Sequence, residues 1–97
     1  MIAIDNRSIR LSGHLTMLNT PKIYTQGLQA LSAGDDWQVD CAQLASVDSS
    51  AVALLLAWLR AAQAKNCQLS VTGLPNSLLS LANLYGVEEM LPRQVVS

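Results

Sequence analysis

Apolar and polar side chains alternate over the first part of the chain, and the pattern predicts a β-hairpin. Residues 1–5 and residues 8–12 each read as a short strand, and in the second strand apolar residues flank an arginine, as on a strand with one covered face. Asn6-Arg7 between the strands is typical of a tight turn. Gly13 is expected to end the second strand.

A helix and a third strand are predicted next along the chain. Thr20 is expected to cap the helix, because its side chain can accept a hydrogen bond from a free backbone N–H. Pro21 suits the first helical position, where no N–H is needed. The helix is expected to reach residue 31 or 32 and to end at Gly34, and residues 38–41 then read as a strand.

The second half of the chain contains the strongest predicted helix. Residues 51–64 are rich in Ala and Leu and contain no Gly or Pro. Residues 68–72 predict a fourth strand. Asn76 or Ser77 is expected to cap a third helix, which Gly86 ends.

The order of predicted elements is ββαβαβα, which indicates an α/β fold. Helices between successive strands imply parallel pairing, whereas the opening hairpin is antiparallel. We therefore expect a single domain over residues 1–97, with a small mixed β-sheet and helices packed against it. The tail, residues 87–97, is expected to pack in part through Met90 and Leu91.

Composition limits the classes of function. Of the 97 residues, 51% are hydrophobic and 13% are charged, so the chain can bury a core and still leave apolar surface for a protein partner. The formal net charge is −1 and the six Lys and Arg residues are scattered, which argues against nucleic-acid binding.

Membrane insertion and secretion are not expected either. The longest apolar run, residues 51–59, is far shorter than the ~20 residues of a membrane-spanning helix. The start of the chain, MIAIDNRS, lacks the charged leader and long apolar run of a secretory signal, so we expect a cytoplasmic protein. Cys41 and Cys67 are isolated, which predicts neither a metal site nor a disulfide, but two small buried residues near strands. No cofactor is expected.

Three short polar residues, Asp48-Ser49-Ser50, stand where a loop enters the middle helix. Such side chains satisfy the first unpaired N–H groups of a helix, and a carboxylate complements the positive end of its dipole. This capping role is sufficient to explain their presence. The question is whether a function is added to it.

The helical periodicity of residues 51–64 separates a core face from an outer face. The expected core face consists of Leu54, Leu55, Trp58, Leu59 and Ala62. The expected outer face consists of Ala53, Leu56, Arg60 and Gln63, in line with Ser49. An apolar leucine among small residues on this outer face favours a flat surface for a second protein, and the alternative is an inert solvated face.

The sequence here resembles the signature of STAS domains, the family that includes bacterial anti-sigma-factor antagonists. The residues that carry the resemblance are Leu44-x-x-Val47-Asp48-Ser49-Ser50-Ala51, followed by Leu54-Leu55-Leu56. The order ββαβαβα matches that family as well. In the antagonists a partner kinase phosphorylates the second serine of the Asp-Ser-Ser run. That serine corresponds to Ser50 in this chain, and Ala51 stands in place of the usual glycine.

The end of the chain is similar to a branch of this family, the MlaB-type subunits of the Mla phospholipid transporter. The matching residues are Ser12-Gly13-x-Leu15, Leu81-Ala82-x-Leu84-Tyr85-x-Val87 and Leu91-Pro92-Arg93. This resemblance implies a non-catalytic cytoplasmic subunit that docks on the ATPase of an ABC transporter maintaining outer-membrane lipid asymmetry. The threonine that faces the ATPase in those subunits falls on Ser49.

The expected contact surface combines the helix start with the outer face. Its candidate residues are Asp48, Ser49, Ser50, Ala53, Leu56, Arg60 and, in the first helix, Tyr24. A phosphate on Ser49 or Ser50 would place about two negative charges in the interface and could switch docking off. Weak self-association of the isolated chain through the same face stays open, as does a core role for Tyr24.

Two other functions are compatible with parts of the sequence. A hydrolytic set of His14 with Asp48 and Ser49 or Ser50 lacks the strained Gly-x-Ser-x-Gly turn, and a surface or loop histidine is the simpler interpretation. The rival within the family is an anti-sigma-factor antagonist regulated by serine phosphorylation.

Several further residues have an expected structural role. Trp37, Trp58 and Tyr85 are expected to be core or half-buried, and Gly27 predicts close packing of the first helix. Met17 and Leu18 lie in the loop before that helix and could equally form a hydrophobic lead-in to it, so their role stays open.

Overall fold

The chain forms a four-stranded sheet and three helices in the computed structural model, which describes residues 2–5, 7–31 and 36–86. The elements are β1 (Ile2–Asp5), β2 (Ser8–Leu15), α1 (Thr20–Ala30), β3 (Asp36–Val47), α2 (Ser49–Ala64), β4 (Gln68–Thr72) and α3 (Asn76–Leu84). The predicted order ββαβαβα is confirmed.

The strands lie in the order β1-β2-β3-β4. β1 pairs antiparallel with β2, whereas β2–β3 and β3–β4 are parallel, because α1 and α2 carry the chain back between them. The predicted mixed sheet is confirmed. The parallel pairing brings the carboxyl ends of β2 and β3 together, so the segments that follow them, before α1 and α2, are neighbours.

The core lies between one face of the sheet and the helices. The strand residues that face it are Ile9, Leu11, Leu15, Trp37, Val39, Cys41, Leu69 and Val71, all buried. Alternate positions on the other face, such as Arg10 and Gln38, are exposed. α2 supplies Trp58, the largest side chain that is completely buried among the described residues. Full burial of a large apolar side chain stabilises the fold by roughly 1.5–3 kcal/mol.

The second strand is longer than the sequence predicted. β2 continues through Gly13 to Leu15, and its pairing with β3 shifts register between Arg10 and Ser12 and again between Gly13 and His14. Gly13 has a φ of 75°, a conformation that lets the strand bulge and continue. The prediction that Gly13 ends the strand is therefore wrong.

The starts of α1 and α3 also differ from the prediction. Thr20 is the first residue of α1, and Asn19 is the N-cap residue, with a side chain that makes no capping bond. Pro75 is the N-cap residue of α3, and its carbonyl accepts hydrogen bonds from the N–H groups of Leu78 and Leu79, at 3.0 Å each. Capping by Thr20, and by Asn76 or Ser77, is thus wrong.

Other predicted boundaries agree with the structure. β4 has the predicted bounds, and α3 ends before Gly86, which has a φ of 70°. α1 ends at Ala30, close to the predicted residue 31 or 32. The predicted stop at Gly34 and the packing of Met90 and Leu91 lie outside the described residues.

Both cysteines are buried, one in β3 and one just before β4, as predicted. Burial raises the pKa of the Cys41 thiol to about 12, and the neighbouring charge of Asp40 adds to the effect. The thiol of Cys41 therefore stays protonated and acts as a small apolar side chain.

Candidate functional site

Asp48 is the N-cap residue of α2 and is held in extended conformation before the first turn. Its Oδ1 accepts a hydrogen bond from the N–H of Ser50 at 2.9 Å and a second from the hydroxyl of the same serine. The carboxylate thus satisfies a free donor of the first turn and lies at the positive end of the helix dipole. The predicted capping role of Asp48 is confirmed, and α2 begins at Ser49, two residues earlier than predicted.

The second oxygen of Asp48 binds a different segment. Oδ2 accepts a hydrogen bond from the N–H of Met17 at 3.0 Å, and the N–H of Asp48 donates to the carbonyl of Leu15 at 3.3 Å. Asp48 therefore connects the start of α2 to the loop between β2 and α1.

These bonds favour the charged form of the carboxylate. The hydroxyl of Ser50 lowers the pKa of Asp48 most, followed by the N–H of Met17, while desolvation acts in the opposite direction. Asp48 is therefore an anion over the whole neutral range. Both of its oxygens accept hydrogen bonds within the chain, so Asp48 positions the segments on either side of it, and its contact with a partner stays a prediction.

The two serines of α2 are in different environments. The hydroxyl of Ser50 is half-buried and donates to Asp48. Ser49 is exposed, and no hydrogen bond of its hydroxyl is found within the described part of the chain. Of the three polar residues at the helix start, Ser49 thus presents its side chain outward.

The outer face of α2 continues from Ser49. Ala53, Arg60 and Gln63 are exposed, as predicted. Leu56 is only half-buried at this face and packs partly against the core, so it is less open to solvent than the helical wheel suggested. The opposite face contains Leu54, Leu55, Trp58 and Ala62, all buried, and the half-buried Leu59. The predicted helix register is confirmed.

The predicted burial of the aromatic residues is confirmed for two of them and wrong for a third. Trp37 and Trp58 are buried, as predicted, but Tyr85 is 55% exposed at the end of α3, and its expected burial is wrong. Tyr24 is half-buried against the core, and its backbone carbonyl accepts a hydrogen bond from the indole N–H of Trp58 at 3.0 Å. Tyr24 contributes to the contact between α1 and α2, and its role in an interface stays a prediction.

His14 lies within β2 rather than in a loop after it, which corrects its predicted position. Its side chain is exposed, and its Nδ1 is hydrogen-bonded to the hydroxyl of Ser46 in β3. This partner is a neighbouring strand residue and not a serine of α2. The residues of the hydrolytic set are therefore not linked to one another through His14.

Sequence reasoning missed one feature of this region. A hydrophobic lead-in to α1 was one open role for Met17 and Leu18, but these side chains are 72% and 92% exposed. Both lie in the loop that Asp48 binds. The available signal was an apolar pair between a strand and a helix cap, which does not distinguish a buried lead-in from an exposed one.

None of the three helices in the described part of the chain has the length and apolar content needed to cross a lipid bilayer.

Comparisons with known proteins identify the family. A family model described as "Mlab, STAS domain" matches residues 3–92. The solved structure of the anti-sigma factor antagonist SpoIIAA in its unphosphorylated form is similar, with a TM-score of 0.73 and 17% sequence identity over 98% of this chain and 87% of that one. A search of curated proteins found no significant match. The four-stranded mixed sheet, the order of its elements and the family match agree, and the chain belongs to the STAS domain family.

Proposed function

We propose that this chain is a non-catalytic regulatory or stabilising subunit that docks on the ATPase of an Mla-type phospholipid ABC transporter. The description of the matching family model supports this function over that of other STAS proteins. The subunit would act in the cytoplasm, peripheral to the inner membrane through its partner, in a system that maintains outer-membrane lipid asymmetry.

The observation that carries the proposal is the exposure of Ser49 at the start of α2. Its hydroxyl is directed away from the core, next to the exposed Ala53 one turn further along the same face. Small side chains allow close approach of a second protein, and a hydroxyl can exchange hydrogen bonds with a polar or cationic group of that protein. Arg60, further along this face, is suited to a carboxylate at the rim of the interface.

The fold also supports a second candidate. The similarity to the anti-sigma factor antagonist SpoIIAA favours a partner-switching protein that is regulated by phosphorylation of Ser50 or Ser49. The two functions predict different partners for the same surface: a transporter ATPase or an anti-sigma kinase. Genes for a permease and an ATPase beside the gene for this chain favour the first, and genes for a sigma factor and its kinase favour the second.

The test is co-purification of the chain with the transporter ATPase of the same organism, using a matched pair of variants. Ser49→Glu adds length and charge at the proposed contact, whereas Ser80→Glu makes the same change at an exposed position of α3. An acidic residue in the first turn of α2 interacts favourably with the positive end of the helix dipole, so Ser49→Glu should fold normally.

We expect Ser80→Glu to co-purify like the wild type and Ser49→Glu to lose the ATPase while keeping its circular dichroism spectrum. Leu56→Glu should weaken binding too, but its partial burial makes a folding control essential. Failure of the wild-type chain to bind the ATPase, together with capture of an anti-sigma kinase, would replace the proposed function with the second candidate.

A further inference from the structure

The loop between β2 and α1 presents two large apolar side chains to solvent beside the start of α2. Met17 is 72% exposed and Leu18 is 92% exposed. Leu18 is the most exposed large apolar residue among those described, ahead of Leu84 at 77%. Exposed apolar side chains that lie together mark candidate contact sites for other molecules.

The loop does not rely on these side chains for its own structure. The N–H of Thr16 donates to Oδ1 of Asn19 at 3.0 Å, and Nδ2 of Asn19 donates to the carbonyl of His14 at 2.7 Å. The N–H of Leu18 donates to the hydroxyl of Thr16 at 3.4 Å. The loop is thus held by its polar groups, while its two apolar side chains remain outside the core.

The link to α2 is the carboxylate of Asp48. Its Oδ2 accepts a hydrogen bond from the N–H of Met17 at 3.0 Å, while its Oδ1 accepts one from the N–H of Ser50 at 2.9 Å. One side chain therefore fixes the apolar loop and the first turn of α2 relative to each other. Such preorganisation reduces the conformational entropy that a contact surface loses on binding.

We propose that Asp48 is a positioning residue, and that the loop it holds extends the contact surface so that Met17 and Leu18 insert into an apolar pocket of the partner that covers Ser49. This inference rests on the proposed function and adds the loop to its interface. Apolar anchors at the centre of an interface, next to hydrogen-bonding groups, contribute a large share of binding energy.

The charges around the loop favour a protein partner over a lipid surface. Residues 16–19 contain no Lys or Arg, and the nearest charged group bonded to them is the anion of Asp48. Binding of a short apolar segment to an anionic membrane depends on adjacent cationic side chains. Lys22, in the first turn of α1, is the cation nearest in the sequence, but the charge bonded to the loop is the carboxylate of Asp48. An anion at the loop does not suit an anionic bilayer, so the two apolar side chains fit a preformed pocket of a protein better.

The first test compares two leucine variants of the full chain in binding to the purified transporter ATPase, measured by calorimetry. Leu18→Glu changes the proposed anchor, and Leu84→Glu makes the same change at another highly exposed leucine, on α3. We expect Leu18→Glu to weaken binding at least about tenfold, as for an interface hot spot, and Leu84→Glu to bind like the wild type.

The outcomes separate this inference from the proposed function. Equal binding by Leu18→Glu and the wild type, with loss of binding by Ser49→Glu, would overturn the role of the loop and leave the proposed function standing. No binding by the wild type would overturn both. Leu18-dependent sedimentation with vesicles of phosphatidylcholine and phosphatidylglycerol would assign the loop to a lipid surface and overturn the protein partner.

The second test isolates the positioning role of Asp48. Asn is as good an N-cap residue as Asp, but its NH2 group cannot accept a hydrogen bond from Met17. Asp48→Asn should therefore retain α2, speed hydrogen exchange at the Met17 amide and weaken ATPase binding. Adding Asp48→Asn to Leu18→Glu should weaken binding less than Asp48→Asn does alone, because both changes act through the loop. Unchanged exchange at Met17, or fully additive losses, would contradict the positioning role.

Discussion

Gly27 of α1 lies directly against the indole ring of Trp58 in α2. A methyl group on Gly27 would come within 2.9 Å of the indole nitrogen and closer still to the ring carbons. The same indole donates its N–H to the backbone carbonyl of Tyr24 at 3.0 Å. At this point the two helices are joined both by close packing and by a hydrogen bond.

This contact predicts that Gly27→Ala destabilises the fold although Ala is the better helix former by about 1 kcal/mol. The added methyl group must push the helices apart or displace the indole, so we expect a net loss of about 1–3 kcal/mol in the free energy of unfolding. Urea denaturation measures it. In a Trp58→Leu background, which leaves room for the methyl group, Gly27→Ala should lower the free energy of unfolding by less. If the decrease is as large as in the wild type, the clash with Trp58 is not its cause.

Two glycines with left-handed backbone form a natural comparison. Gly73 has a φ of 67° and Gly86 a φ of 70°, but a Cβ on Gly73 would lie 2.8 Å from the backbone nitrogen of Ala42, whereas a Cβ on Gly86 would meet nothing within 4 Å. Gly86→Ala should lower stability by about 1 kcal/mol, the cost of the conformation alone. Gly73→Ala should lower it clearly more, because the strand β3 must also move. Equal melting temperatures of the two variants would contradict this ranking.

Lys65, at the end of α2, stabilises the end of α1. Its Nζ donates to the carbonyls of Leu28 and Leu31 at 3.2 and 3.1 Å, where the first helix has free acceptors and the negative end of its dipole. Lys65→Met should lower the free energy of unfolding by about 1–3 kcal/mol. Lys22→Met, at an exposed position of α1, is the matched control and should change stability little in urea denaturation.

Local sequence signals predicted most of the fold and part of the site. The order of elements, the core face of α2 and the capping by Asp48 follow from periodicity and from the chemistry of short polar side chains. The continuation of β2 could not be predicted in this way. Gly13 has the conformation of a terminator, yet it pairs with Leu44 across the parallel sheet, and that partner is 31 positions away in the chain.

The exposed loop and the helix caps were missed for a similar reason. The local sequence does not distinguish an apolar pair that packs on a helix from one that faces solvent. Leu18 faces solvent. The cap of α3 is a backbone carbonyl, that of Pro75, and any residue type provides one. Tyr85 has an aromatic ring that usually favours burial, but it follows the last turn of α3 and remains exposed.

The hydrogen bonds to Asp48 predict a contribution to stability that depends on pH. They lower its pKa in the folded chain, so the unfolded chain binds the proton more readily. The contribution should be fully present above the usual carboxyl pKa of about 3.9 and should be lost as the pH falls through the lower value of the folded chain. Unfolding by urea at a series of pH values measures this effect. The free energy of unfolding of the wild type should exceed that of Asp48→Asn at neutral pH and approach it in acid. A difference that is the same at every pH would show that the stabilisation by these hydrogen bonds does not depend on the charge of Asp48.

The different environments of the two serines predict different effects of a negative charge. Ser50 is half-buried and its hydroxyl donates to Asp48, so Ser50→Glu removes the donor and sets a second carboxylate beside the first. We expect it to lower the free energy of unfolding by about 1 kcal/mol or more and to loosen the bond between Asp48 and Met17. Ser49→Glu, exposed in the same first turn, should leave stability unchanged or slightly raised.

These two variants also distinguish the consequences of phosphorylation. A phosphate on Ser50 would disturb the Asp48 bridge and with it the Met17–Leu18 loop, whereas a phosphate on Ser49 would act only through its own charge in the interface. Hydrogen exchange at the Met17 amide should therefore rise in Ser50→Glu and not in Ser49→Glu. Equal exchange in the two variants would mean that the loop does not respond to the charge at Ser50, and would contradict this difference between the two serines.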